Sequence, residues 1–226
     1  MEETEYKSYI NELDEDIIEL LSMRQNLLTN TKNFKVMELG GYHMGEQFTS
    51  KLDYNIFQYE LKFHSNKKNY YGKLFNESLE TNKEDYEDLN LSRIIKYAYT
   101  TFLYDLCEYG DDEKNDIACN LDIEILFKLS ERIHFGYEMM KLKYINNMDF
   151  YDKLFESNDS SFILYYLSQS IYQPTYLDLL KETCIKYNVC NVFICSFFKN
   201  VIIPYYNEIQ LHFCLKMKEL KQISNV

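Results

Sequence analysis

This chain of 226 residues is poor in the residues that break helices, with two prolines, Pro174 and Pro204, and six glycines. Strand-like alternation is weak throughout, so the shortage predicts an all-α fold. Positive charge is also short. Lys and Arg total 24 against 36 Asp and Glu, a formal net charge of −12 with a pI near 4.8. Without a basic footprint, charge-driven binding to nucleic acid or to an anionic membrane surface is not expected. No stretch approaches the roughly 18 uninterrupted apolar residues of a membrane span. The N-terminal MEETEYKSYINELDEDI is acidic and lacks the apolar centre of a signal peptide, so a cytoplasmic location is expected. The six cysteines, Cys107, Cys119, Cys184, Cys190, Cys195 and Cys214, form no CxxC, and the four histidines complete no metal-ligand spacing. They read as reduced core residues of an intracellular protein, with no metal.

What is present is ordinary for a globular chain: 46% apolar and 27% charged residues. The length suits one domain, residues 1–226, with ample core. Apolar periodicity predicts a first helix over about 5–35, ending before Gly40 and Gly41, and a second over about 48–65. Residues 66–89 are polar and acidic and read as a long connection. An apolar helix follows over 92–108, then a charged loop, YGDDEKNDIACN, over 109–120. Short helices are expected over 149–156 and 160–172, the second capped by Ser160 or Asp159. Pro174 suits the first turn of a helix reaching about Tyr187, and a last helix over 191–221 should kink at Pro204.

The central helix, Asp122 to Tyr144 (DIEILFKLSERIHFGYEMMKLKY), is the feature around which the bundle is expected to form. Apolar residues at Ile123, Leu126, Leu129, Ile133, Met140 and Tyr144 follow the spacing of an amphipathic helix. Arg132 and Lys143 lie eleven residues apart. At about 100° per residue this returns to within roughly 20°, so both cations share a face, with Cα atoms about 16 Å apart. Two long side chains bending inward could bracket a small dianion. Gly136 lies between them on that face, and a glycine inside a helix usually has a packing or close-approach reason. A solvated face is the commoner meaning of such cations, but arginine occurs only at Arg24, Arg93 and Arg132 and is not routine surface charge here. His134 lies about 160° from the two cations and reads as a packed histidine. The first helix echoes the pattern, with Arg24 and Lys35 again eleven apart, either by chance or by an ancient duplication.

These residues resemble the helical (AroQ) class of chorismate mutase, in its larger fungal and plant branch. The resemblance is carried by INELDEDIIELLSMR (10–24), LSERIHFG (129–136) with Lys143, YDKLFESND (151–159) and VIIPYYNEIQLHF (201–213), in order along most of the chain. It implies an isomerase that rearranges chorismate, a dianion, to prephenate in phenylalanine and tyrosine biosynthesis, as a homodimer and without metal or cofactor. Such an enzyme selects a compact conformer and stabilises charge on the breaking ether oxygen.

By position, the resemblance makes Arg132 a carboxylate ligand and Lys143 a donor to the ether oxygen. It puts Gln210 where the fungal enzymes have a glutamate that must be protonated to donate, and where compact bacterial forms have glutamine. Four further substrate positions depart from the family. Lys7 replaces an arginine, Gln169 an asparagine, Gln173 a glutamate and Tyr206 a small threonine, the last with a ring that could crowd the pocket. The fungal branch also carries an effector site for aromatic amino acids, using a Gly-Ser pair before the central helix and arginines after the second helix. Here those segments read NDIACN (115–120) and HSNKKN (64–69), so little response to tyrosine or tryptophan is expected. The departures leave an alternative: a weak or inactive relative acting as a ligand-binding or regulatory partner. An unrelated helical interaction protein is the third reading.

Overall fold

The structure, a computed structural model, describes residues 3–34, 91–156, 159–169 and 174–224. The helix expected over 48–65, the connection over 66–89 and Lys35 lie outside the described residues. Those described form helices α1 (Glu3–Arg24), α2 (Ser92–Leu106), α3 (Asn115–Asn146), α4 (Met148–Glu156), α5 (Ser160–Gln169), α6 (Pro174–Lys186), α7 (Asn191–Phe197) and α8 (Ile203–Ser224). A 3-10 turn, Thr31–Asn33, follows α1, and a π-helical segment, Phe198–Ile202, joins α7 to α8. No strand occurs among the described residues, as the sequence predicts. The chain divides into two compact units: Met1–Asp16 with Glu131–Lys186 and Cys190–Val226, and Ile17–Ser130 with Tyr187–Val189. The division falls inside α1 and inside α3.

In the second unit, Ile17, Ile18 and Leu21 of α1, Ile95, Tyr99 and Leu103 of α2, and Ala118, Ile125 and Leu126 of α3 form the core. Here α1 ends at Arg24, about ten residues sooner than periodicity suggests. The reason is the arginine itself. Its side chain is fully buried, donating through Nε to Asp122 at 2.7 Å and through its Nη atoms to the carbonyls of Leu28 (2.8 Å) and Thr29 (2.9 Å). A charged donor that collects carbonyls just beyond its own helix turns the chain back on itself, and Asn30 completes the turn at φ 54°. The turn is pinned by Thr29 N–H to the Glu108 carbonyl and Asn30 N–H to the Gly110 carbonyl, at 2.9 and 2.8 Å.

The central helix α3 starts at Asn115, seven residues earlier than expected, so NDIACN is helical and not loop. The Asp112 carboxylate accepts from the Lys114 N–H at 2.9 Å just ahead of it, and Ala118 and Cys119 are wholly buried. Burial gives this polar stretch its helical conformation, which apolar periodicity alone does not show. From Asp122 to Met140 the helix is covered nearly all round.

In the first unit, α4 and α8 pack on the C-terminal half of α3. Tyr144 stacks on Phe155 at 5.8 Å between ring centroids, and Tyr137 meets Phe213 edge-on at 4.9 Å. Asp159 caps α5, its Oδ1 accepting from the Ser161 and Phe162 N–H groups at 2.9 and 3.2 Å. Pro174 opens α6, as expected. The expected kink at Pro204 takes the form of the π-helical segment just ahead of it. Proline has no N–H for the carbonyl four residues back, and wider i→i+5 turns absorb that loss.

Candidate active site

All described members of the candidate site belong to the first unit. Within it α1 and α3 run antiparallel: Tyr6 and Tyr9 pack on Phe135, and further along Asp14 meets Arg132. Helix α8 runs parallel to α3, with Tyr206 against Gly136 and Gln210 against Lys143.

Arg132 is 2% exposed, and its charge is answered inside the protein. Nε donates to Asp14 Oδ1 at 2.7 Å, and Nη2 to Asp14 Oδ2 at 3.4 Å and to the Tyr176 hydroxyl at 3.3 Å. The Tyr176 hydroxyl itself donates to Asp14 Oδ2 at 2.8 Å. Burial opposes the guanidinium's charge, but the Asp14 carboxylate together with Tyr176 and Tyr206 outweighs it and holds the pKa above its ordinary value. One edge of the fork is therefore committed. The other is not: Nη1 is buried and has no hydrogen-bond partner among the described residues. A buried, unanswered cationic N–H is the strongest local signal for an anion.

Tyr206 lies where the sequence places it, and its ring is not bystander bulk. The Arg132 Cζ stands 4.8 Å from the ring centroid, a cation–π contact, and Tyr206 is 3% exposed. Burial pushes its phenol well above the usual range. The ring fits because residue 136 is glycine. A Cβ there would stand 2.6 Å from the Tyr206 carbonyl oxygen and 3.2 Å from its ring. Gly136 thus permits the close approach of α8, and the space it leaves is filled by Tyr206 and not kept open for a ligand.

Two turns further along α3, Lys143 is half-buried and donates through Nζ to Gln210 Oε1 at 3.4 Å. Gln210 is wholly buried and donates through Nε2 to Asn207 Oδ1, also at 3.4 Å. The structure thus groups Arg132 with Tyr206, and Lys143 with Gln210, along one α3–α8 seam. Lys7 is exposed on the second turn of α1, Gln169 is the last residue of α5, and Gln173 lies outside the described residues. His134 is buried, as expected. A shallow cleft lined by Asn11, Asp14, Glu15, Tyr176, Leu179, Leu180 and Thr183 lies at the Asp14–Tyr176 pair and includes neither Lys143 nor Gln210. Among the described residues no group of three or more His, Cys, Asp or Glu could hold a metal ion.

Periodicity does not identify Asp14, Tyr176 and Asn207. A signal existed for two of them. Asp14 stands four residues after Ile10 and four before Ile18, an acid on the apolar stripe of α1, which requires a buried partner. Asn207 stands four after Ile203 and three before Gln210 on the buried side of α8. Tyr176 had none.

No family model matches the chain. The chorismate mutase of Saccharomyces cerevisiae is 26% identical over 146 residues, which span 58% of this chain and 57% of that protein. The chain thus matches little more than half the length of this curated relative. Similarity in structure is broader. The chloroplast chorismate mutase of Zea mays superposes with a TM-score of 0.73 at 18% identity, covering 97% of this chain and 96% of that one. Aro7p chorismate mutase of Candida albicans, in complex with L-Trp, superposes with a TM-score of 0.72 at 20% identity, covering 93% and 89%. AtCM1 with tyrosine bound in its allosteric site gives 0.66 at 17% identity, covering 96% of each chain.

Proposed function

We propose that this chain, which has the all-α fold of the chorismate mutases, is an isomerase that converts chorismate to prephenate. One observation carries the proposal: the unanswered Nη1 edge of Arg132 and the Lys143–Gln210 pair lie along one helix seam, in a fold shared over 93–97% of the chain with chorismate mutases. The rearrangement is pericyclic and needs no nucleophile. What it needs is a held conformer and donors aimed at the ether oxygen, where negative charge grows. Arg132 would take a substrate carboxylate on Nη1, its other edge being held by Asp14. Lys143 would supply a point charge at the ether oxygen, and Gln210 a neutral N–H beside it. Lys7, Gln169 and Gln173 are assigned to the remaining carboxylate and hydroxyl of the substrate by their positions in the chain.

Turnover should be modest, since Arg132 has one free edge instead of a full fork and Tyr206 lies over it. A homodimer in the cytoplasm, indifferent to tyrosine and tryptophan, completes the proposal. Loss of chorismate absorbance on adding purified protein tests it, with Arg132→Ala alongside. Removing this carboxylate ligand should cost about 100-fold or more in kcat/KM. A parent with no turnover that still binds a cyclic dicarboxylate would point to the ligand-binding reading. An Arg132→Ala variant as active as the parent would reject the site.

A further inference from the structure

We propose that Asn207 is the positioning residue that orients the Gln210 amide, a role that rests on the mutase reading for its kinetic consequence. The two residues lie three apart on α8, Asn207 3% exposed and Gln210 wholly buried. Gln210 Nε2 donates to Asn207 Oδ1 at 3.4 Å while Gln210 Oε1 accepts from Lys143 Nζ at 3.4 Å. A primary amide turned over by 180° exchanges its oxygen for its NH2 with no change of shape, so only its neighbours decide which end points where. Here the neighbours make opposite demands. Lys143 has donors only and requires the oxygen. The Asn207 oxygen requires an N–H. With one N–H committed to Asn207, the second is left as the donor Gln210 can offer a ligand.

The need for Asn207 appears when the site is occupied. A dianion draws on the Lys143 ammonium, and the Lys143–Gln210 bond is then the one that weakens. Asn207 remains to keep the amide from turning its oxygen toward an ether oxygen that is gaining negative charge. Both bonds, at 3.4 Å, are longer than the usual N–H···O separation and have room to tighten. A buried asparagine that merely fills space would show none of this dependence on Gln210.

The test uses the full chain in four forms: parent, Asn207→Leu, Gln210→Leu and the double variant. Asn207→Leu should lower kcat about tenfold while KM stays within about twofold, and should cost nothing further once Gln210 is leucine. Asn207→Asp keeps the accepting oxygen and should recover kcat, while its charge raises KM for a dianion. Asn207→Ala serves if leucine does not fold. Equal losses from Asn207→Leu in both backgrounds, or no loss of kcat, would overturn the proposal. A readout independent of turnover is the Gln210 side-chain amide pair in a 15N–1H spectrum, identified by its disappearance in Gln210→Leu. That pair should move in Asn207→Leu, and an unmoved pair overturns the orientation. A parent that does not turn over chorismate rejects the mutase reading alone, and the amide spectrum then still decides the role of Asn207.

Discussion

At the scale of single residues, two arginines explain much of the protein. Arg24 and Arg132 are both buried, and each is held by an aspartate across the α1–α3 contact. Asp14 precedes Arg24 by ten residues, and Asp122 precedes Arg132 by ten. The pairs cross over, Arg24 with Asp122 and Arg132 with Asp14, each at 2.7 Å. Each aspartate also accepts a tyrosine hydroxyl, from Tyr99 at 2.6 Å and Tyr176 at 2.8 Å. In the described part of the sequence echo between the helices, the shared feature is thus a buried ion pair at each arginine. The two arginines differ in one respect. Arg24 spends its Nη atoms on backbone carbonyls, whereas Arg132 keeps Nη1 unspent.

Two predictions belong at this scale. Asp14→Ala leaves a buried guanidinium without its counter-charge and should destabilise the fold by about 3–5 kcal/mol, read from urea unfolding. Had the pair been solvated, the same change would cost under about 1 kcal/mol. The second concerns pH. Gln210 does not titrate and donates in any buffer, so turnover should hold between about pH 5.5 and about pH 8. A sharp loss across that range would show that a titrating group, and not this amide, serves the ether oxygen.

At the scale of elements, the decisive contact is α3 on α8. Alanine is a better helix former than glycine by about 1 kcal/mol, so Gly136→Ala would stabilise an isolated α3. In this protein the new methyl would meet a backbone carbonyl at 2.6 Å, which cannot swing away as a side-chain end could. The variant should be less stable by about 1–3 kcal/mol despite the gain in propensity, measured by thermal or urea unfolding. It should also disturb the site, because the clash lies at Tyr206, under Arg132. The π-helical segment ahead of α8 belongs to the same account. It lets Pro204 sit one residue before Tyr205 while Tyr206, Asn207 and Gln210 all stay buried.

At the scale of the whole molecule, the chain forms two compact units, but α1 and α3 each contribute to both. A helix cannot unravel in one half without exposing the carbonyls and amides of the turn beside it. We therefore propose that the 226 residues act as one folding domain. Unfolding followed by circular dichroism and by tyrosine fluorescence should give coincident single transitions, and two separated midpoints would refute it.

The sequence by itself determined the secondary-structure class, most element boundaries after residue 91, and the alignment of Arg132 with Lys143. These are local properties, set by breaker scarcity and by a period of 3.6 residues. It also ordered Gln210 and Tyr206 on one late helix by their spacing. The tertiary structure decided what those residues do. That Arg132 has one open edge depends on Asp14, 118 residues away in sequence, and on Tyr176, 44 away. That Gly136 is a contact and not a gap depends on Tyr206, 70 residues away. Periodicity tells which face a side chain shares, but a buried charge takes its partner from whatever helix packs there, and only the packing brings that partner within 3 Å.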